Sequence, residues 1–311
     1  MCLAAAACGV AAQTYPVKPV RVIAPFSPGG PADFQLRLIA PRLSEAWGQQ
    51  FIVDNRAGAN GIIAFELGAK ADPDGYTLIL ITAGFTINAT LYPKLPYDSR
   101  RDFAGVTQLA SAPGIVVVHP SLPARSVKEL VALARSRPGQ MTYMSAGVGS
   151  PSHLAVELLA SMTGIRMIHV PYKGIAPGIV DLLAGQVQVS IPTILAGLDH
   201  ARAGRLRALA TTGASRAPAA PELPTMPEAG IPGYEAANWL GIVVPAKTPP
   251  AIINKLNQDL VRVLGLADVR EKMLTQGMEP VSRTPAAFTQ YVQSEIAKWA
   301  KVVKASGARP E

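Results

Sequence analysis

Apolar residues follow two rhythms along this chain. Short runs, partly β-branched and closed by Gly, Pro, Asn or Thr, predict strands: VRVIAPF, FIVDN, YTLILITAG, GIVVVHP, MTYMSAG, RMIHVPY, VQVSIPT and RALATT. Between them Leu36, Ile39, Leu43 and Trp47 recur at three- and four-residue steps, as do Leu154, Leu158, Leu159 and Met162, which predicts helices with one buried face. Strand alternating with helix predicts parallel sheets under helical cover, with ligands held outside the carboxyl ends of the strands. The Pro-rich stretch Ser215 to Glu235 breaks the rhythm and reads as a surface connection. After it, LNQDLVRVLGLADVREKML and FTQYVQSEIAKWAKVVKASG predict two helices with no strong strand between them. No internal repeat is evident, and 311 residues suit two lobes with a cleft between them.

Composition narrows the function. Hydrophobic residues make up 49% and charged ones 16%, so the chain has apolar material for real cores and too little charge for disorder. The net charge of +8 favours anionic partners, but its Lys and Arg are scattered and do not interleave with aromatics, which argues against a nucleic-acid groove. Residues 1–12, MCLAAAACGVAA, have the small apolar character of the end of a secretory leader without its basic start, which predicts export. Both cysteines, Cys2 and Cys8, fall there, so the mature part is expected to hold no disulfide and no thiol ligand. His119, His153, His169 and His200 lack metal-ligand spacing, and neither a metal nor a cofactor is expected.

Two strand-to-helix corners carry the candidate chemistry. In the first, Phe26, Ser27, Pro28, Gly29 and Gly30 lead into a helix opened by Pro31, whose first amides and dipole favour an anion. Asp33, inside that first turn, reads as a capping aid rather than a general base. The second corner repeats the design with Ser145, Ala146, Gly147, Gly149 and Ser150 before a helix capped by Ser150 or Ser152. Gly147-x-Gly149 is an incomplete dinucleotide pattern, since Ser152 replaces its third glycine and no acidic residue follows at ribose distance. A tight strand-to-helix turn without any ligand explains the first corner equally well when taken alone, and the glycine pattern of the second is weak evidence by itself.

Ten ordered blocks, among them YPVKPVRVIAPFSPGG, GQQFIVDNRAGANG, ADPDGYTLIL, SAGVGSPSHLAVELL, HVPYKG, AGRLRALATT and WLGIVVPAKTP, closely resemble the Bug-type periplasmic solute receptors of tripartite tricarboxylate transporters. The resemblance implies an α/β, two-lobed periplasmic binding protein of type II, a venus flytrap with each lobe a sheet covered by helices. It implies lobe 1 from residues 13–114 and 237–311, and lobe 2 from 115–236. It further implies a non-catalytic monomer that captures a small mono-, di- or tricarboxylate and delivers it to membrane permease subunits. The site residues carried over are Phe26, Ser27, Pro28, Gly29, Gly30 and Asp33, then Thr82, Ala83 and Gly84 at the end of YTLILITAG. From the second lobe come Ser145, Ala146, Gly147, Gly149, Ser150 and His153, with Tyr172 and Lys173 on the rim. Pro192 and Thr193 stand where such receptors often carry other polar residues, so contact with the ligand's far end is left open. Phe34, Phe85 and Trp239 are left open between an aromatic pocket wall and core or hinge packing.

Two alternatives remain at this level. One is a sensory partner that binds the same ligand and reports to a membrane kinase. The weaker one is a hydrolase using Ser145 or Ser150 with His153, oriented by Glu157, although no G-x-S-x-G elbow is present.

Overall fold

A computed structural model describes residues 15–309; the stretch expected to be a leader, with Cys2 and Cys8, lies outside them. Eleven strands and ten α-helices follow one another as β1 (Val20–Ala24), α1 (Pro31–Trp47), β2 (Phe51–Asn55), α2 (Ile62–Ala69), β3 (Thr77–Thr82), α3 (Ala83–Leu91), β4 (Phe103–Ala112), β5 (Ile115–Val118), α4 (Val127–Ser136), β6 (Thr142–Ser145) and α5 (Pro151–Thr163). Then come β7 (Ile168–Pro171), α6 (Ile175–Leu183), β8 (Val189–Ser190), α7 (Ile194–Arg202), β9 (Arg207–Thr211), β10 (Asn238–Pro245), α8 (Pro250–Leu264), α9 (Ala267–Thr275), β11 (Glu279–Pro280) and α10 (Pro285–Ser306). They build one six-stranded sheet in the order β11-β4-β10-β3-β1-β2 and one five-stranded sheet in the order β7-β6-β8-β5-β9.

Both sheets are mixed rather than parallel, which corrects the expectation from simple alternation. β1 runs parallel to β2 and β3, but β10 runs antiparallel to both β3 and β4. In the second sheet β6 is parallel to β7 and β8, while β5 is antiparallel to β8 and β9. Of the strands absent from the sequence reading, the two long ones are β4 and β10. Each is buried along most of its length and interrupted by glycine, so neither shows the period of two that marks a half-buried strand. Their glycines have a packing reason. A Cβ on Gly241 would lie 2.2 Å from the Phe288 ring, and one on Gly105 would lie 2.7 Å from Thr289 Oγ1, so α10 sits directly on the backbone of both strands.

Other boundaries differ locally. YTLILITAG is a strand only as far as Thr82; Ala83 and Gly84 open α3, with Thr82 Oγ1 accepting from Gly84 N–H at 3.1 Å. The helix expected over LNQDLVRVLGLADVREKML breaks at Gly265 and Leu266, where Leu266 turns extended before α9. A two-residue strand, β11, follows α9 and pairs with β4.

The chain passes from one sheet to the other between Ala112 and Ile115, and returns between Thr211 and Asn238. Buried Thr212 clasps the two passages: its hydroxyl accepts from Gly114 N–H at 2.7 Å and donates to the Ala236 carbonyl at 3.1 Å. Helix α10 bridges the cores. Phe288, Val292 and Ile296 pack with Trp239 beside the first sheet, whereas Trp299, Val302 and Val303 join the core of the second. A cleft lies between the sheets at the carboxyl ends of β1 and β3.

Candidate functional site

Strands β1 and β3 are parallel neighbours, so the helices they feed begin side by side. Helix α1 starts after Gly30, which supplies no side-chain cap, with Pro31 at its first position. Phe34 N–H bonds the Gly30 carbonyl, and Gly29 N–H bonds Asp33. Among the described residues, the amides of Gly30, Ala32 and Asp33 find no acceptor within the protein. They form one electropositive corner. Thr82 and the start of α3 form the next. Because Thr82 Oγ1 already accepts from Gly84, its hydroxyl proton is left to donate outward.

The loop between β1 and α1 is lashed from below. Buried Asp33 receives Gly29 N–H at 3.0 Å and Arg37 Nε at 2.8 Å on one oxygen, and Asn55 Nδ2 at 3.0 Å on the other. Asn55 also donates to the Phe26 carbonyl at 3.0 Å. The Arg37 hydrogen bond, followed by those of Gly29 and Asn55, outweighs burial and holds the Asp33 carboxyl down at about 2. Asp33 is thus an ionised anchor of the loop.

This corner opens into a cavity of about 250 Å³ between the sheets. Phe26, Gly30, Ala32 and Thr82 line it from the first sheet's loops, and Thr193, Ile194 and Leu195 from the start of α7 in the second. Gln276, Gly277 and Met278, in the turn from α9 to β11, close one wall. A second compartment of about 140 Å³ is lined by Ala146, Pro151 and Ser152 at the α5 corner, with Gly114, Ile191 and Ala236. Ala112, Thr193 and Asn238 belong to both, so the two compartments meet over the inter-sheet passages. None of the described residues lining either compartment is charged.

Of the ligand-binding residues expected from sequence, Phe26, Gly30, Thr82 and Ala146 meet this double cavity, and Ser152, Pro192 and Thr193, also noted there, line it too. Ser27, Pro28 and Gly29 are exposed in the loop beside it, and Asp33, Ala83 and Gly84 lie within the turns that shape it. The α5 corner spends its donors on itself. Ala146 N–H bonds Ser152 Oγ at 3.0 Å, Gly147 N–H bonds Ser145 Oγ at 3.1 Å, Gly149 N–H bonds His153 Nδ1 at 3.0 Å, and Ser150 caps the helix through His153 N–H. Tyr172 donates to Asp181 at 2.6 Å and Lys173 is exposed; neither lines a compartment.

The pairing of Ser145 or Ser150 with His153 is not formed. Ser145, fully buried, meets His169 Nε2 at 2.6 Å, and Glu157 accepts from Tyr143 at 2.5 Å instead of orienting His153. His153 stacks on His169 with ring centres 4.0 Å apart, and Tyr143 stacks on His169 at 4.9 Å. Gly149 N–H can donate to His153 Nδ1 only while that nitrogen is unprotonated, and burial, then the neighbouring His169, pushes His153 down to about 4. The sign follows: below about pH 6.5 the unfolded chain takes up a proton that folded His153 refuses, so stability falls towards pH 4 and is fully present above that window. Burial lowers His169 too, with the same sign. Urea unfolding at pH 7 and pH 5 should show this loss, and His153→Asn should shrink it; an unchanged pH slope in that variant would sink the assignment.

Phe85 and Trp239 are core residues and Phe34 packs against core, so none of the three walls the cavity. Sequence reasoning missed Ala112, Leu195, Asn238 and the Gln276–Met278 turn as cavity walls. Among them only the break at Gly265 and a later glycine, Gly277 in a left-handed turn, hinted at a loop worth following. Among the described residues, no group of three metal-ligating side chains converges and no helix is long and apolar enough to cross a membrane.

Comparison with known proteins agrees with this architecture. The profile of the tripartite tricarboxylate transporter family receptor, TctC, matches residues 35–308. Protein BugT of Bordetella pertussis is 38% identical over 302 residues, covering 96% of this chain and 93% of that protein. The structure of Rpa4515 from R. palustris with adipate is 41% identical, with a TM-score of 0.77 over 96% of this chain and all of that one. MatC from Rhodopseudomonas palustris, with bound malate, is 32% identical, with a TM-score of 0.74 over 93% of this chain and all of that one. With its two helix-covered α/β lobes and a cleft between them, the chain belongs to the tripartite tricarboxylate transporter receptor family of Bug and TctC proteins, and is a solute-binding protein rather than an enzyme.

Proposed function

We propose that this chain is an exported, periplasmic and monomeric receptor that captures a small carboxylate for the membrane permease of a tripartite transporter. The observation that carries the reading is the pair of adjacent helix starts, α1 and α3, where Gly30 and Ala32 with their unpaired amides and Thr82 with its hydroxyl line the cavity between the sheets. A carboxylate there meets the positive ends of two helix dipoles and fixed donors, without a lysine or arginine. The adipate and malate held by two relatives support the same ligand chemistry.

In this reading Gly30, Ala32, Asp33 and Ala83 contribute backbone and Thr82 its hydroxyl, while Gly84 holds the Thr82 oxygen and Ser27, Pro28 and Gly29 shape the loop. From the second lobe Thr193 offers a hydroxyl with no partner among the described residues. Ala146 and the Ser145–His153 corner border the far compartment, where bridging waters complete the contact. Lobe closure over the ligand pivots at the Thr212 clasp.

The test is a melting-temperature screen against carboxylates, amines and neutral sugars. A ligand at about a hundred times its dissociation constant adds roughly 2.7 kcal/mol of stability, a rise of several degrees. Carboxylates should raise the melting temperature. A rise with amines or sugars alone would overturn the reading.

A further inference from the structure

Resting on the carboxylate reading above, we infer that Asn238 determines specificity by donating to a second oxygen of the ligand. The receptor then prefers a carboxylate that carries a further hydroxyl or carboxylate oxygen over a plain alkanoate of the same length. Asn238 opens β10, where the chain re-enters the first sheet, and it lines both compartments at their junction. Its amide has one orientation: Trp239 N–H donates to Asn238 Oδ1 at 3.0 Å, so the oxygen is engaged and Nδ2 is the free end. Among the described residues, Asn238 Nδ2 meets no acceptor.

The other polar side chains on these walls are less demanding. Thr193 and Gln276 are exposed and keep their water, and Ser152 Oγ is bonded to Ala146 N–H and Ser150 Oγ. Asn238 is half-buried between buried Ala237 and Trp239, so a guest at the junction takes water from its amide. A guest without an acceptor there leaves that donor unpaired, whereas one with an oxygen satisfies it. Sheet register sets the reach. Leu240 stands opposite Thr82, and Asn238, two residues before it on β10, belongs to the same face. One strand spacing and two residue steps separate the Asn238 and Thr82 backbones by about 8 Å. With the carboxylate at Thr82 and the helix starts, the second oxygen falls about four to six bonds from the carboxylate carbon.

The experiment is calorimetric titration of the full chain with two matched series: butanoate, 4-hydroxybutanoate and succinate, and hexanoate, 6-hydroxyhexanoate and adipate. In at least one series an oxygenated member should bind about tenfold or more tighter than the plain acid. Asn238→Ala should bring that ratio within about threefold of unity while leaving the plain acid's affinity nearly unchanged. Asn238→Asp keeps an oxygen for Trp239 N–H, and with it the local fold, but offers only acceptors to the guest. It should therefore favour the hydroxy acid over the diacid by at least about tenfold more than the unaltered chain does. Plain acids binding as tightly as both oxygenated partners in both series, a preference that survives Asn238→Ala, or an unmoved hydroxy-acid-to-diacid ratio in Asn238→Asp would overturn this inference and leave the carboxylate reading intact. No binding of any of the six at millimolar concentration would overturn both.

Discussion

Replacing Glu295 by alanine should cost about 3–5 kcal/mol of folding stability, the loss expected when one partner of a buried, hydrogen-bonded ion pair is removed. Glu295 lies on α10 and is 4% exposed. One of its oxygens accepts from the indole N–H of Trp239 at 3.2 Å and of Trp299 at 3.0 Å; the other pairs with Lys298. Lys298 in turn donates to the Glu235 carbonyl at 3.1 Å, just before the chain re-enters the first sheet. Trp239 belongs to the first core and Trp299 to the second, so this carboxylate joins both cores to the returning passage. Alanine leaves two indole donors and an ammonium group without their acceptor, in addition to a cavity. Urea unfolding followed by tryptophan fluorescence measures the loss, and Glu295→Gln, which keeps an acceptor oxygen, should lose less. A loss below about 1 kcal/mol for the alanine variant would contradict this role.

Replacing Asp33 by alanine should weaken ligand binding by about 30-fold or more while leaving the global fold intact. The carboxylate fixes the β1–α1 loop through Gly29, Arg37 and Asn55, and its loss frees the backbone that presents the Gly30 and Ala32 amides. Re-ordering even two residues on binding costs about 2–4 kcal/mol, which is the source of that factor. Asp33→Asn retains an acceptor for Gly29 and should fall between the two. The carboxyl is held at about 2, so its contribution is fully present above the ordinary carboxylate range near pH 4 and is lost as pH falls from there through 2. Calorimetric binding from pH 8 to pH 5 should therefore show no titration of this anchor. Equal affinity in Asp33→Ala and the unaltered chain would remove Asp33 from the account.

The β1–α1 corner was legible because its signals are local: Gly29 and Gly30 before Pro31 fix a turn and a helix start within a few residues. Its neighbour, the α3 start, was half-legible, since Thr82, Ala83 and Gly84 were noticed as the end of a strand without the helix they open. Two-lobed α/β architecture came from the alternation and, more specifically, from the resemblance of whole blocks. The strands β4 and β10 escaped because burial on both faces and packing glycines erase alternation. Leu195, Asn238 and Met278 escaped for a different reason: they reach the cavity from three distant stretches, and only the sheet order brings them together. At the α5 corner, serines and glycines look alike in sequence whether they face a ligand or bond their own loop, and here Ser145, Ser150 and Ser152 accept bonds from within it.

The central claim is that a carboxylate is held by the adjoining starts of α1 and α3. Backbone amide chemical shifts, followed while a carboxylate that raises the melting temperature is titrated into isotopically labelled protein, test it most directly. The amides of Gly30, Ala32 and Asp33 should move downfield in a saturable way, as donors do on meeting an anion, and Ala83 with them. Saturable shifts confined to the α5 corner at Gly147 and Gly149, with Gly30 and Ala32 unmoved, would contradict the account.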